Sequence, residues 1–304
     1  MSEIKFDGKV AVITGAGAGL GKTYALELAQ RGAKVVVNDL GSQRDGSGST
    51  NSAADLVVEE IRSSGGKAAA NYDSVATIEG GENIVKTALD NFGTIDILIN
   101  NAGIIQDKNL LKLSEKEWDN VLSVHLKGAF CVTKPAFKVM KEKNYGRVVF
   151  TASGAGLYGN FGQSNYSAAK MGVVGFMNTL ALEGAKFNIK LNAIAPVAAS
   201  RLTEDILPPE IFEKMKPEFI TPLVTYLVSE DNQDTSMIFN CVSGWFSRTA
   251  IVCAKGVFMG DGERTIPAEE IKENWAAITS LEGNKVLTKG SVELFDFLTP
   301  FMFH

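Results

Sequence analysis

The chain has 304 residues, of which 45% are hydrophobic and 21% are charged, with a formal net charge of −5. This length and apolar content allow one large buried core, and the negative charge gives no reason to expect a nucleic acid partner. The three cysteines, Cys131, Cys241 and Cys253, lack ligand-like spacing, so they predict free thiols in a reducing compartment and no metal site. No apolar run approaches about 18 residues, so no membrane span is predicted.

The first predicted element is a strand that leads into a glycine-rich turn. Residues 9–14 are apolar and β-branched, which is typical of a buried parallel strand. The turn and the start of the following helix comprise Gly15, Gly19, Leu20 and Gly21. Glycines let a backbone approach a diphosphate closely, and the N–H groups at a helix start face its negative charge. The segment predicts a dinucleotide-binding turn, although its spacing is G-x-x-x-G-x-G rather than G-x-G-x-x-G.

A second predicted strand, residues 33–38, ends at an acidic residue. Asp39 stands where an acidic side chain can accept hydrogen bonds from an adenosine ribose. Because a carboxylate repels a 2′-phosphate, Asp39 favours NAD over NADP. The glycine- and serine-rich loop that follows, residues 41–52, is either a flexible surface loop or a functional one.

Strands and helices alternate along the next part of the chain. Further strands are predicted at 67–72, 95–99, 147–151 and 189–194, and helices at 22–31, 80–92, 114–143 and 163–185. This alternation predicts an α/β fold with a doubly wound, Rossmann-type parallel sheet covered by helices on both faces. Asn101, in the run Asn-Asn-Ala-Gly at 100–103, follows a strand and is expected at the carboxyl edge, where ligands bind. Pro208 and Pro209 open a segment expected to lie over the substrate.

Tyr166 and Lys170 lie four residues apart on a predicted helix and therefore project from the same face. The Lys170 ammonium can favour the ionised phenol, which makes a general base from a group whose reference pKa is about 10. Ser153 lies upstream, after the strand at 147–151. A Tyr-x-x-x-Lys pair alone is commonplace, but with the glycine turn, Asp39 and Asn101 it predicts a dehydrogenase.

These motifs resemble the short-chain dehydrogenase/reductase family. The resemblance rests on TGAGAGLG at 14–21, NNAG at 100–103, Ser153, Tyr166 and Lys170, and it covers residues 6–245. Inside the family, residues 35–41, 52–68, 70–75, 156–170 and 194–204 resemble the (3R)-hydroxyacyl-CoA dehydrogenase units of type 2 peroxisomal multifunctional enzymes, also described as 17β-hydroxysteroid dehydrogenases of type 4.

The resemblance implies an NAD-dependent oxidoreductase that converts (3R)-3-hydroxyacyl-CoA to 3-ketoacyl-CoA in fatty-acid β-oxidation. In such an enzyme Tyr166 is the general base, Ser153 binds the same substrate oxygen, and Lys170 binds the nicotinamide ribose. The resemblance also implies that Asn101 and Tyr166 contact the cofactor. Asp73 and either Ser74 or Val75 are expected at the adenine, and the backbone near Ala198 is expected at the carboxamide.

The resemblance also implies a homodimer, fusion to or association with a hydratase, and a peroxisomal location. The final residues, Phe301 to His304, are not an S-K-L type of peroxisomal signal, so cytoplasm and mitochondrion stay open. Pairing is expected through the helix of Tyr166 and the helix before it. The residues expected on the exposed sides of those helices are Ala129, Phe130, Val174, Phe176 and Met177.

Three positions depart from the family pattern. His125 stands where many members carry asparagine, and it either relays a proton or is a satisfied buried histidine. Pro196-Val197 replaces the usual Pro-Gly, and Gln106 replaces an arginine that is frequent in the close subgroup. Two other functions stay open: a dehydrogenase for another substrate, such as a steroid or an acyl-carrier-protein thioester, or a non-catalytic structural subunit. The latter would be expected to lose Ser153, Tyr166 or Lys170, and all three are present.

Residues 1–245 are predicted to form the NAD-binding dehydrogenase domain, which includes the catalytic site. Residues 246–304 are predicted to be a carboxyl-terminal extension with one helix, 267–280, because so short a segment can hardly form an independent core. Its apolar residues Trp275, Ile278, Leu281 and Phe295 need a surface to bury against. The extension is therefore expected to pack on the same domain or its dimer partner, near the substrate.

Overall fold

The computed structural model of the chain describes residues 3–199, 210, 214–260 and 264–297. The segment that contains Pro208 and Pro209 lies outside these residues. The chain divides into two compact units, Met1–Arg248 and Thr249–His304. No helix among the described residues is long and apolar enough to cross a membrane, and the described residues contain no cluster of three or more His, Cys, Asp or Glu side chains that could hold a metal ion.

The first unit is built on an eight-stranded sheet with the order β3-β2-β1-β4-β5-β6-β7-β8. The strands are β1 (Val10–Thr14), β2 (Lys34–Asn38), β3 (Lys67–Asn71), β4 (Ile97–Asn100), β5 (Gly146–Thr151), β6 (Ile189–Val197), β7 (Ile238–Val242) and β8 (Trp245–Thr249). Strands β1 to β7 pair in parallel. The doubly wound α/β fold predicted from the sequence is confirmed, with each of the six predicted strands present.

The helices of this unit are α1 (Gly19–Gln30), α2 (Ser52–Ser63), α3 (Ile78–Phe92), α4 (Glu115–Leu122), α5 (Gly128–Lys143), α6 (Gly154–Tyr158), α7 (Ser164–Gly184) and α8 (Thr221–Leu227). The helix predicted at 114–143 is not uniform, because a π-helical segment, Ser123–Lys127, separates α4 from α5. A π segment inserts an extra residue into a turn and is frequent at functional sites. Here it carries His125.

Side chains of alternate residues in the strands enter two different cores, as the pleat requires. In β1, Ala11 and Ile13 belong to a core that includes residues of α1, α2 and α8, such as Leu28, Ile61 and Val224. Val10 and Val12 belong to the other core, which includes residues of α3, α5 and α7. Each face of the sheet is thus covered by helices, and this leaves the carboxyl ends of the strands for the site.

The sequence did not predict β7 or β8. Ser243 and Gly244, with φ of 44° and 83°, form the two-residue turn between them, and two positive-φ residues are typical of a hairpin turn. The domain end expected at Trp245 falls at the start of β8. The first unit instead ends at Arg248, because β8 belongs to the sheet.

The second unit contains short elements. It has the helices α9 (Ala268–Glu273) and α10 (Trp275–Thr279) and the antiparallel strands β9 (Val252–Cys253) and β10 (Lys285–Val286). The prediction of a single helix at 267–280 is therefore wrong in detail, because the segment forms two helices. Asn274 separates the two helices, and its side-chain amide donates to the Glu270 carbonyl at 2.9 Å. Whether this unit packs on the dehydrogenase domain or its partner stays a prediction.

The ends of β1 and β4 are joined by hydrogen bonds from two residues. The Thr14 hydroxyl accepts from the backbone N–H groups of Asn101 and Ala102, at 3.0 and 3.1 Å. The Asn101 side-chain amide donates to the carbonyls of Thr14 and Gly15, both at 3.0 Å. Since Thr14 is 2% exposed, water cannot readily replace these bonds, and the glycine turn is fixed against the segment after β4.

We expect Thr14→Val to destabilise the fold by about 1–3 kcal/mol, because it keeps the shape but leaves two amide N–H groups without their acceptor. Thr14→Ser, which keeps the hydroxyl, is the matched control and should lose less. Urea unfolding followed by far-UV circular dichroism measures both. Equal stability of the two variants would show that the Thr14 hydroxyl does not hold the junction.

Candidate functional site

A cleft of about 190 Å³ lies at the carboxyl ends of the central strands. The predicted cofactor residues that line it are Gly15, Gly19, Leu20, Asp39, Asp73, Ser74, Val75 and Asn101. Gly21 does not line the cleft but supports the turn beneath it. The loop at 41–52 also contributes to the wall through Ser42, Gln43, Arg44 and Gly46. The structure thus brings together residues that lie far apart in the sequence.

The glycine turn is crowded and requires glycine at specific positions. Gly15 has a φ of 63°, and a Cβ there would lie 2.7 Å from the Ala102 Cα. A Cβ at Gly21 would lie 2.3 Å from the Gly15 carbonyl oxygen. Helix α1 begins at Gly19, and its N-cap Ala18 provides no side-chain acceptor. The first N–H groups of α1 are therefore available to an anionic ligand, and a dinucleotide diphosphate fits this turn.

Asp39 is fixed at the edge of the cleft by backbone donors. Its Oδ2 accepts from the Gly17 N–H and its Oδ1 from the Gly41 N–H, both at 2.7 Å. A carboxylate oxygen can accept more than one hydrogen bond, so both oxygens can also accept from ribose hydroxyls. The orientation of this acceptor is set before any ligand arrives.

The residues expected to contact adenine, at 73–75, are held by a second hydrogen-bond network. The Asp73 carboxylate accepts from the side-chain amides of Asn71, at 2.8 Å, and Asn83, at 3.1 Å. Asn38 donates to the Asp73 carbonyl at 2.9 Å. The Ser74 hydroxyl accepts from the Ala76 N–H at 3.2 Å. Asp73, Ser74 and Val75 therefore form a rigid wall of the cleft.

Ser153, Tyr166 and Lys170 lie together at the ends of β5, α6 and α7. Ser153 is the N-cap of α6, and its hydroxyl accepts from the Ala155 N–H at 3.2 Å and is hydrogen-bonded to Tyr166. The Lys170 ammonium donates to the Thr151 carbonyl at 2.5 Å and lies 5.6 Å from the centre of the Tyr166 ring. Ser153 and Tyr166 are therefore hydrogen-bonded to each other, and the Lys170 ammonium lies beside the tyrosine ring while it is bound to the backbone.

Burial opposes the electrostatic effect that the sequence predicts for Lys170 on Tyr166. Burial raises the pKa of the Tyr166 phenol, and the Asp107 charge raises it further, against the Ser153 hydrogen bond that lowers it. Burial also lowers the pKa of Lys170 to about 7. Burial thus disfavours the charged forms of both groups, and this desolvation opposes the charge pairing that the sequence predicts.

His125 is buried against Tyr166. Its ring is 5% exposed and lies edge-on to the Tyr166 ring at 5.1 Å. Its Nε2 lies 2.8 Å from the Ile104 carbonyl and 3.1 Å from the Ile104 N–H. Gly103 makes room for the ring, because a Cβ there would lie 2.4 Å from the His125 Cε1.

The surroundings of His125 fit neither of its two interpretations completely. Burial, and to a smaller extent the charge of Lys170, lowers the pKa of His125 to about 3. The ring is therefore neutral at physiological pH. A proton relay through an imidazolium is therefore disfavoured. The ring is not a fully satisfied histidine either, because its Nδ1 is buried and has no hydrogen-bond partner within the described part of the chain.

Ser153, Tyr166 and Ala198 do not line the cofactor cleft. A small cavity of about 10 Å³ is lined by Lys170 and His125 and shares Val75, Ala102 and Val124 with the cleft, so the two sites are contiguous. Ala198 is 5% exposed and packs in the core. The preceding Pro196 and Val197 pair with Cys241 and Val242 of β7, which places this departure from Pro-Gly inside the sheet.

Sequence reasoning missed several residues that shape this site. They are Thr14, Asn165, Gln163, Asp107 and the cleft-lining residues of the loop at 41–52. Thr14 ends a strand directly before the glycine turn, and Asn165 precedes Tyr166, so both positions carried a signal. Asp107 carried none, because its proximity to Tyr166 arises only from the fold.

Comparisons with known proteins agree with this geometry. A family model described as short chain dehydrogenase matches residues 9–205. Peroxisomal multifunctional enzyme A of Dictyostelium discoideum is 53% identical over 288 residues, which are 95% of this chain and 64% of that protein. A short-chain type dehydrogenase/reductase of Mycobacterium tuberculosis is 51% identical over 281 residues, which are 91% of this chain and 96% of that protein.

A solved structure extends the comparison to three dimensions. The full-length peroxisomal multifunctional enzyme type 2 of Drosophila melanogaster matches with a TM-score of 0.81 and 41% sequence identity, over 98% of this chain and 50% of that one. This chain therefore spans less than two thirds of each of the two multifunctional enzymes. The matched motifs, the sheet and the similarity over nearly the whole chain lead to one conclusion: the chain belongs to the short-chain dehydrogenase family.

Proposed function

We propose that the chain is an NAD-dependent (3R)-3-hydroxyacyl-CoA dehydrogenase that forms 3-ketoacyl-CoA in fatty-acid β-oxidation. The observation that carries the proposal is the Ser153–Tyr166 hydrogen bond with Lys170 beside the tyrosine ring, where Lys170 lines a small cavity that adjoins the cleft with the glycine turn and Asp39. The substrate class is supported by the similarity to the multifunctional enzymes of Dictyostelium and Drosophila. The same similarity supports a peroxisomal location, and the association with a hydratase rests on the family resemblance of the sequence.

Each catalytic side chain has one task in this proposal. Tyr166 accepts the proton of the 3-hydroxyl group, and Ser153 donates a hydrogen bond to the same substrate oxygen and keeps it in line. Lys170 binds a ribose hydroxyl of the cofactor. The cofactor, when bound, takes up the hydride. Because the pKa of Tyr166 is raised, its basic form becomes populated only as the pH rises. The rate of substrate oxidation should therefore increase under alkaline conditions.

Asp39 supports NAD as the cofactor. Its two oxygens are oriented by Gly17 and Gly41 and are suited to accept from the two ribose hydroxyls. A 2′-phosphate at the same place would bring negative charge against this carboxylate, and like charges in a partly buried site repel each other. We therefore propose that the enzyme uses NAD in preference to NADP.

The activity proposal is tested by NADH formation from (3R)- and (3S)-3-hydroxyacyl-CoA of several chain lengths, with NAD and with NADP. We expect turnover with the (3R) substrates and NAD, and at most trace rates in the other combinations. A steroid alcohol and a (3R)-hydroxyacyl thioester of acyl carrier protein serve as the competing substrates. Preference for either competitor, or for the (3S) series, would contradict the proposal.

A homodimer is the proposed assembly, but the structure corrects the surface named for it. Ala129, Val174 and Met177 are at most 5% exposed and belong to the core of the single chain, so they cannot provide an exposed contact. Phe130 is 39% exposed, and its ring contacts Phe176 at 6.3 Å. The exposed apolar residues on α7 are Met171 and Leu182, at 38% and 48% exposed.

These apolar side chains on α5 and α7 fit a symmetric contact. Light scattering should give a molar mass near twice 32.6 kDa. The double variant Met171→Lys with Leu182→Lys should shift that mass toward a single chain. A single-chain mass for the unmodified protein would contradict the assembly.

A further inference from the structure

The segment after β4 forms hydrogen bonds on two sides. We call residues 104–108 the strap. On one side the strap meets the loop at 41–52, and on the other it meets the start of α7, which carries Tyr166. Neither contact belongs to the catalytic group or to the glycine turn.

The loop is held to the strap by three contacts. The Ile105 N–H donates to the Arg44 carbonyl at 3.1 Å, and the Gln106 side-chain amide donates to the Asp45 carbonyl at 2.6 Å. Gly46, with a φ of 88°, lies against the Ile104 side chain, where an added Cβ would be 3.1 Å from the Ile104 Cδ1. The tip of the loop is therefore seated on the strap.

The base of the loop is closed as well. Gly41 has a φ of 68°, and a Cβ there would lie 1.8 Å from the Thr50 carbonyl oxygen. The Thr50 N–H donates to the Leu40 carbonyl at 3.2 Å, and the Gln43 N–H donates to the Ser47 carbonyl at 2.8 Å. With both base and tip fixed, this glycine-rich segment is a built wall of the cleft rather than a freely moving surface loop.

The opposite side of the strap is anchored at α7. The buried Asn165 side-chain amide donates to the Gln106 carbonyl at 3.0 Å, and the Gln163 amide donates to the Asp107 carboxylate at 2.6 Å. Asn165 also accepts from the Tyr166 N–H at 2.8 Å. Because the backbone of Gln106 is fixed by α7, its side chain has a firm base from which to hold the loop.

Gln106 is the residue that joins the two sides. Its backbone carbonyl is bound by Asn165, its Oε1 accepts from the Asn120 side-chain amide at 3.3 Å, and its Nε2 holds Asp45. Asn120 thus orients the amide so that Nε2 faces the loop. Only the last of these bonds reaches the cleft wall.

We propose that Gln106 is a positioning residue for the cofactor: it fixes the loop at 41–52 as a wall of the cleft beside Asp39, and so sets the affinity for an adenine dinucleotide. The proposal rests on the proposed function for the identity of the ligand. The hydrogen bond from Gln106 to the loop is made by the side chain alone, so its removal should leave α7 and Tyr166 in place.

The test compares three variants of the full chain. Gln106→Met keeps the size of the side chain but removes its hydrogen bonds, and Gln106→Lys restores a donor for the Asp45 carbonyl. Gln233→Met is the matched control, because the Gln233 Nε2 makes a similar bond, to the Glu230 carbonyl at 2.7 Å, in the turn before β7. Four quantities are measured for each variant: hydrogen exchange of the loop amides before cofactor is added, the Kd for NADH, the KM for NAD and the kcat.

We expect Gln106→Met to speed amide exchange at 41–52 and to raise the Kd for NADH and the KM for NAD about 3- to 10-fold, the range expected for one lost hydrogen bond. The kcat at saturating NAD should stay within about twofold of the unmodified protein, because the backbone bond to Asn165 is kept. Gln106→Lys should recover most of the affinity, and Gln233→Met should match the unmodified protein in all four measurements.

Loop exchange and NADH affinity in Gln106→Met equal to those of Gln233→Met would overturn the proposal. So would a fall in kcat without a rise in KM, because that result places the effect of Gln106 at Tyr166 rather than at the cleft. If the unmodified protein fails to bind NADH, the proposed function falls, while the exchange measurement still decides whether Gln106 holds the loop.

Discussion

The junction between β1 and β4 sets the geometry of the whole site. Four hydrogen bonds hold it. Two join Thr14 to Asn101, one joins the Asn101 side chain to the Gly15 carbonyl, and one joins the Ala102 N–H to the Thr14 hydroxyl. The glycine turn begins on one side of this junction, and the strap that leads toward Tyr166 begins on the other. A shift of the junction would therefore move the cleft and helix α7, which carries Tyr166, together.

Desolvation is the largest electrostatic effect at Tyr166, Lys170 and His125. It raises the pKa of Tyr166 and lowers those of Lys170 and His125, so burial favours the neutral form of each group. Such shifts cluster at functional sites. The neutral His125 packs edge-on against Tyr166 and is hydrogen-bonded to Ile104. Its contacts therefore connect Tyr166 to the strap.

The fold and much of the site could be predicted from local patterns. The apolar runs predicted six strands because parallel strands are buried on both faces, and the glycine turn and Asp39 followed from their positions at strand ends. The edge hairpin β7–β8 was missed because Trp245 and Phe246 are largely exposed, so the segment lacks the continuous burial of the central strands. The π-helical segment at His125 has no marker in a helical pattern that continues through it.

Other errors came from properties that depend on tertiary structure. Ala129, Val174 and Met177 were assigned to an exposed face because both neighbouring helices are apolar on more than one side, and only packing shows which side is buried. The pKa of Tyr166 depends on how deeply the phenol lies and on Asp107, which comes from another part of the chain. The contact between the loop at 41–52 and Gln106 joins residues that share no sequence pattern.

The central claim is that the Tyr166 hydroxyl is the proton acceptor in a hydride-transfer reaction. It is tested most directly by steady-state turnover of (3R)-3-hydroxyacyl-CoA by Tyr166→Phe, with the Kd for NADH measured on the same protein. Tyr226→Phe, which removes a hydroxyl from a tyrosine of α8, is the control. The account predicts a fall in kcat of about 10²- to 10⁴-fold with an unchanged Kd for Tyr166→Phe, and no change for Tyr226→Phe. A near-normal kcat in Tyr166→Phe would contradict it.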